Sequence, residues 1–205
     1  MNGDELLCRR IVVGGAALIY WGGVFVQARR IRKRIGRSPN LKPRGAKECL
    51  LWAGWMLVVG AWIGQPLFVG RNLYLPGFQI NESLLLPASL ATGLALTIGG
   101  YAATLWCYRI MGNAWRIGIN RQEKNQLVTR GPYQWIRHPI YAFQAVMLAG
   151  GILLLPTLCS FAILLIHLAC VLAKARDEET YLLGVHGNAY RDYLARTGRL
   201  FPKLW

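Results

Sequence analysis

The chain has 205 residues, of which 54% are hydrophobic and 16% charged, and a formal net charge of +15. A soluble domain carries about a quarter charged residues, so this composition excludes that class and makes the bilayer the first hypothesis. The positive charge does not indicate nucleic acid, because the basic residues lie between long apolar runs and not on one face of a soluble fold. The five cysteines, Cys8, Cys49, Cys107, Cys159 and Cys170, form no pair at metal-ligand or redox spacing, so neither a disulfide framework nor a metal site is expected.

A spanning helix needs roughly 20 mainly apolar residues. Residues 11–28 supply the first. Arg9 and Arg10 before it and Val26-Gln27-Ala28 at its end imitate a cleaved signal peptide, but the cluster Arg29, Arg30, Arg32, Lys33, Arg34 that follows argues for a retained span. A loop over 29–47 with nine basic residues comes next, then a second span at 49–69 and a third at 84–108. The polar segment to residue 137 holds six more basic residues. The apolar run 140–173 is too long for one span, and Pro156 near its middle is where a proline breaks a helix, so it reads as a tight hairpin of two short helices. A tail over 174–203 carries six basic residues.

Cytoplasmic loops carry an excess of Lys and Arg. The loop after the first span, the 109–137 segment and the tail hold 21 basic residues between them, against 3 (Arg9, Arg10 and Arg71) in the regions that alternate with them. Five spans fit that split, with an external N-terminus and a cytoplasmic C-terminus, in a bacterial inner membrane or endoplasmic reticulum. The expected fold is an all-α integral membrane protein with about five transmembrane helices, the last two a hairpin, and cytoplasmic cofactor-binding segments. It forms a single domain over 1–205, with three N-terminal spans in 1–108 and a cofactor-binding region in 109–205. The glycine pairs Gly14-Gly15, Gly22-Gly23, Gly99-Gly100 and Gly150-Gly151 are expected to serve close helix packing.

Few polar groups interrupt the spans: Gln65, Gln144 and His167 stand out, and none is charged in a way that marks an ion path. Chemistry concentrates instead at 111–141 and 176–205. Gly131-Pro132-Tyr133 is a turn signal. After it, Arg137-His138-Pro139-Ile140-Tyr141 opens a helix, with Pro139 suited to the first turn and Arg137 and His138 beside the N-terminus, where a carboxylate is welcome. An interfacial anchor of snorkelling Arg and belt aromatics reads the same residues equally well. Three of the nine acids stand together as Asp177, Glu178 and Glu179. They either pair with neighbouring cations or face a pocket holding an ammonium and hydroxyl groups. Tyr190 and Tyr193 share one helical face.

These residues resemble the integral membrane methyltransferases that include isoprenylcysteine carboxyl methyltransferase and the phospholipid N-methyltransferases. The resemblance covers about half the chain and rests on two pieces in order around the hairpin. The first is Leu127-Val128-Thr129-Arg130-Gly131-Pro132-Tyr133 followed by Arg137-His138-Pro139-Ile140-Tyr141. The second is Arg176, Glu178-Glu179, Leu182, Gly187, Tyr190, Tyr193 and Pro202. Asn125 and His186 depart from the family pattern, in which a His and a Phe are common. The resemblance implies S-adenosylmethionine as cofactor, held by Gln126, Leu127, Val128, Gly131, Tyr133, Arg137, His138, Pro139, Tyr141, Glu178, Glu179 and Tyr190, and no metal. Glu179, Arg176 and Arg191 are the candidate catalytic groups, as proton acceptor or as cations holding an acidic acceptor.

The function implied is methylation of a lipophilic or lipidated acceptor drawn from among membrane lipids, foremost an isoprenylcysteine-like carboxylate. Phospholipid N-methylation and thiol methylation use the same scaffold. Outside that class stand an NADPH-dependent membrane reductase and a non-enzymatic scaffold whose basic face attracts anionic lipid.

Overall fold

The computed structural model describes residues 3–36, 38, 43, 45–70, 75–115 and 127–203. They form six α-helices: α1 (Gly3–Ile35), α2 (Ala46–Phe68), α3 (Ser89–Met111), α4 (Pro139–Leu154), α5 (Leu158–His186) and α6 (Asn188–Arg196). No strand occurs among the described residues; two isolated bridges, Ile80 with Thr157 and Ile136 with Gly198, tie loops together. α1, α2, α3 and α5 are long and apolar enough to cross a membrane, and α4, with 16 residues, is shorter.

α1 extends beyond its apolar run at both ends, with Asp4 and Glu5 in its first turn and Arg32, Lys33 and Arg34 in its last. Each charge sits where it offsets the helix dipole. The basic cluster after the first span is therefore helical, and Arg9 and Arg10 belong to the helix as well. The third helix starts at Ser89, later than the expected 84, because Asn81 accepts from Ser83 N and closes a short 3-10 turn over Glu82–Leu84.

The hairpin turns at 155–157, around Pro156 as expected. Thr157 caps α5 by accepting from Ser160 N. The second arm is not short, however: α5 runs 29 residues, through the three acids to His186. The end of an apolar run marks where the environment changes and not where a helix stops. The stop is Gly187, whose φ of +54° only glycine adopts cheaply.

That inequality builds the site. α4 rises about 24 Å and α5 about 43 Å at 1.5 Å per residue. Because both leave the same tight turn, the part of α5 after about residue 173 stands clear of α4. Its inward stripe, Lys174, Glu178, Tyr181, Leu182 and Val185, has helical spacing and lines an open cavity.

At the turn end of the bundle the helices are stapled by polar side chains. Arg9 is 2% exposed. It donates to Leu153 O (3.1 Å), Leu154 O (3.2 Å), Ser89 Oγ (3.1 Å) and Glu5 Oε1 (3.0 Å). Arg10 donates to Pro66 O at 2.6 Å. The Thr157 and Ser160 hydroxyls converge on Gln65 Oε1 at 3.3 and 3.1 Å. The first two uncharged polar residues noted within the spans, Gln65 and Gln144, thus part ways, since only Gln65 is spent on packing.

The glycine pairs divide in the same manner. One member of a pair faces a neighbour and the other faces open space. A Cβ on Gly150 would lie 2.8 Å from Gly93 O, and one on Gly100 would lie 2.8 Å from Phe143 O, whereas Gly99 and Gly151 meet nothing within 4 Å. α3 and α4 therefore touch backbone to backbone.

Four helices are long enough to cross a membrane and α4 is shorter; with α4 crossing as a fifth, as the charge split leads one to expect, the two chain ends would lie on opposite sides. Reporter fusions after Ser83 and after Trp205 are expected to report opposite compartments, with the Trp205 fusion cytoplasmic. The same compartment for both would leave α4 as a helix that does not cross.

Candidate functional site

α4 begins with Pro139 at its first position and His138 as N-cap. Residues 135–138 form a turn and bend leading into α4, and a single parallel bridge, Ile136 with Gly198, joins them to the C-terminal tail. Gly198 N donates to Trp135 O (3.0 Å), Arg137 N to Gly198 O (2.8 Å) and His138 N to Arg199 O (3.1 Å). The Tyr193 hydroxyl donates to Tyr133 O at 2.6 Å and docks α6 on the turn Gly131–Gln134. Gly131 itself, at φ +63°, lets this turn pass Ile110 on α3.

The cavity so enclosed has about 230 Å³ of open space. Its polar lining residues include Arg137, His138, Lys174, Glu178 and Tyr190; Tyr20, Trp21 and Val24 of α1 and Trp55 of α2 add aromatic and apolar wall. Leu127, Val128, Tyr133, Pro139 and Tyr141 line it too. Two segments far apart in sequence, flanking the hairpin, thus meet in one chamber.

Glu178 faces that chamber. Tyr141 donates to its Oε1 at 3.0 Å, and His138 Nδ1 is 3.4 Å from its Oε2. The imidazole stacks on Tyr141, with centroids 5.7 Å apart. Glu179 points elsewhere: it does not line the cavity but anchors a clamp behind it. It accepts from Arg137 Nε at 2.8 Å and from Arg199 Nε and Nη2 at 3.0 and 2.6 Å, with His138 Nε2 at 3.4 Å. Arg137 also donates through Nη1 to Thr197 O. Its Nε and Nη1 are thus committed to Glu179 and the tail and are not offered to an anion in the cavity.

Burial opposes charging of His138, yet the flanking Glu178 and Glu179 carboxylates prevail, and its pKa lies above the ordinary histidine value. Burial pushes the phenols of Tyr133 and Tyr190 up and that of Tyr193 to about 12, so all three keep their proton. Because the folded state binds the imidazole proton more tightly, the His138 contribution to stability is complete below an unfolded value of about 6.5 and is lost as pH rises through the raised folded value. The thermal midpoint of the wild type, compared with His138→Gln, should lead at pH 6 and lose that lead toward pH 9. A gap indifferent to pH would mean that folding leaves the imidazole pKa unshifted.

Of the other expected site residues, Arg176 and Arg191 are exposed and do not line the cavity. Gln126 and Asn125 lie outside the described residues. His186, where the family pattern has an aromatic, lines the cavity. Lys174, Trp115 and Arg199 were not anticipated. Lys174 is visible in hindsight as the residue one turn before Glu178, while Arg199 reaches the site only through tail pairing that no local pattern signals.

The chamber suits S-adenosylmethionine on its own chemistry. The Glu178 carboxylate matches an ammonium, the aromatic walls match an adenine, and Tyr190 OH is a buried polar atom without a hydrogen-bond partner among the described residues.

The model of the Isoprenylcysteine carboxyl methyltransferase (ICMT) family matches residues 93–184, from the α3 glycine seam through the acids on α5. Two curated proteins are similar. One is the nickel-cobalt-cadmium resistance protein NccN of Alcaligenes xylosoxydans xylosoxydans, 27% identical over 126 residues, which cover 62% of this chain and 55% of that protein. The other is the cobalt-zinc-cadmium resistance protein CzcN of Cupriavidus metallidurans, 29% identical over 151 residues, which cover 73% of this chain and 62% of that one. The chain spans less than two thirds of the length of either.

Proposed function

We propose that this chain, whose residues 93–184 match the isoprenylcysteine carboxyl methyltransferase family, methylates a lipophilic acceptor, foremost the carboxylate of an isoprenylcysteine-like molecule, with S-adenosylmethionine as donor. The observation that carries this reading is the mixed lining of the cavity, where polar side chains of the two motif segments join aromatic side chains of α1 and α2.

S-adenosylmethionine, when bound, supplies an electrophilic methyl on a sulfonium. Glu178 would take the cofactor's ammonium, Tyr190 would donate or accept at one of its remaining polar atoms, His138 would hold the Glu178 carboxylate in place, and Tyr133 and Tyr141 would wall the cofactor from water. Methyl transfer is an in-line displacement, so the protein's part is alignment and exclusion of water. A carboxylate acceptor is already a nucleophile and needs a cation beside it. Lys174, on the cavity wall, fits that task better than the exposed Arg176 and Arg191. Glu179, clamped behind the wall, serves as a positioning residue for Arg137 and His138 and not as a proton acceptor.

The test is a thermal-shift titration of the detergent-solubilised protein with S-adenosylhomocysteine and, separately, NADPH. Stabilisation by the first alone is expected; stabilisation by NADPH alone would replace this reading with a reductase, and by neither with a scaffold. Turnover of thioether acids of increasing chain length should rise by up to about 0.8 kcal/mol per methylene in specificity, after correction for partitioning. Equal turnover of short and long acceptors would sink the lipophilic acceptor and leave the methyltransferase standing.

A further inference from the structure

Two of the residues that line the cavity carry buried polar atoms that the cofactor shell proposed above does not use. Gln144 is 1% exposed on α4, three residues past Tyr141, and its Nε2 has no hydrogen-bond partner among the described residues. Trp21 on α1 has an equally buried Nε1 without a partner, its ring set edge-on between Tyr20, at 5.4 Å, and Trp55, at 5.8 Å. Both side chains line the cavity.

An unpaired buried N–H is costly, and leucine or phenylalanine would fill either place without that cost. The indole nitrogen only donates, and the free atom of Gln144 is likewise a donor. The two residues line the same chamber, one from α1 and one from α4. Their neighbours are aromatic and aliphatic, so a polar atom brought there by a ligand would find donors, and a donor-only head would find its own kind.

We propose that Gln144 and Trp21 are the acceptor-recognition pair, two N–H groups that hold an oxygen of the acceptor's head and discriminate against lipids headed by an amine. The inference rests on the methyltransferase reading for its meaning, but the preference belongs to the cavity and is measurable without turnover. A site built to hydrogen-bond one head rejects the head that leaves its buried groups unpaired.

The test uses the full chain in lipid nanodiscs, titrated with dodecanoate and with dodecylamine, with binding read by thermal shift and corrected for partitioning into protein-free discs. Dodecanoate should bind at least about tenfold more tightly. Trp21→Phe and Gln144→Met, which remove the donors while keeping an aromatic ring and an unbranched chain, should each lower dodecanoate affinity by about tenfold while leaving dodecylamine affinity within about twofold. No preference in the wild type, a preference untouched by both substitutions, or equal loss of both probes would overturn the pair. Failure of the wild type to bind S-adenosylhomocysteine would instead remove the methyltransferase reading, with the head preference still readable.

Discussion

Glu179→Gln is expected to lower S-adenosylhomocysteine affinity by about one to two decades, which is about 1.4–2.7 kcal/mol, although Glu179 does not line the cavity. The effect is indirect. The carboxylate holds Arg137, whose side chain is 10% exposed, and Arg199, 34% exposed, and joins residues 135–138 to the tail through both. Breaking a buried ion pair by removing one partner costs about 3–5 kcal/mol because the remaining charge stays buried; the exposure of Arg199 puts the expected loss of local stability near the lower figure. Part of that loss appears as displacement of His138 and part as release of the tail. Calorimetric titration should therefore show weaker binding, and limited proteolysis should show faster cleavage beyond residue 196. Gly198→Ala should reproduce both effects from the tail side of the bridge, because its Cβ would overlap Phe201 O and the backbone must move. Glu178→Gln should weaken binding with the tail intact. Full affinity and an intact tail in Glu179→Gln would show that the clamp does not position the site.

The second large effect is expected at Gly150. Its Cβ would lie 2.8 Å from Gly93 O and 2.7 Å from Thr97 Oγ1, and on the other side Gly93 would meet Gly150 O at 3.0 Å. Helices in a bilayer associate through such close backbone approach, without a hydrophobic drive between them. Gly150→Val should separate α3 from α4 at a cost of about 3 kcal/mol or more, at the upper end of overpacking penalties. It should also carry Tyr141 and His138 away from α5, so that binding falls along with stability. Gly151→Ala, one residue on and with nothing within 4 Å, should be neutral or gain a few tenths of a kcal/mol from helix propensity. Thermal midpoints of the two variants decide the matter; similar midpoints would mean that the seam yields to a side chain.

These two sites also show what was legible before the fold. Apolar length located α1 to α3 and the 155–157 turn, because the bilayer imposes one requirement on every span. The motifs brought Tyr133, His138, Tyr141, Glu178 and Tyr190 to the cavity. Which glycine of a pair meets a neighbour depends on helix rotation, and a two-residue pattern does not encode it. Arg176 and Arg191 failed for a related reason: on α5 the inward stripe is 174, 178, 181, 182, 185, and on α6 it is Tyr190 and Tyr193, so both arginines fall on outer faces. That phase was recoverable once residues 174–186 were taken as helix. The Glu179 clamp was not, since Arg199 arrives by pairing between segments some 60 residues apart, as between Arg137 and Gly198.

The Arg9 staple has a consequence for the order in which the bundle is made. Its partners are Ser89, 80 residues downstream, and Leu153 and Leu154, 144 and 145 residues downstream. During synthesis α1 enters the bilayer with a guanidinium at its edge whose hydrogen bonds, apart from Glu5 one turn away, do not yet exist. A charge in that position favours staying near the interface until acceptors arrive. Leu153 and Leu154 are the last residues of α4, so α1 cannot be seated before the hairpin has been delivered. α1, which precedes the other five helices in the chain, is thereby among the last of them to be fixed. Translation arrested before residue 154 should leave α1 inserted but unlocked, with its final assembly waiting on the C-terminal half, where the cavity-lining segments lie.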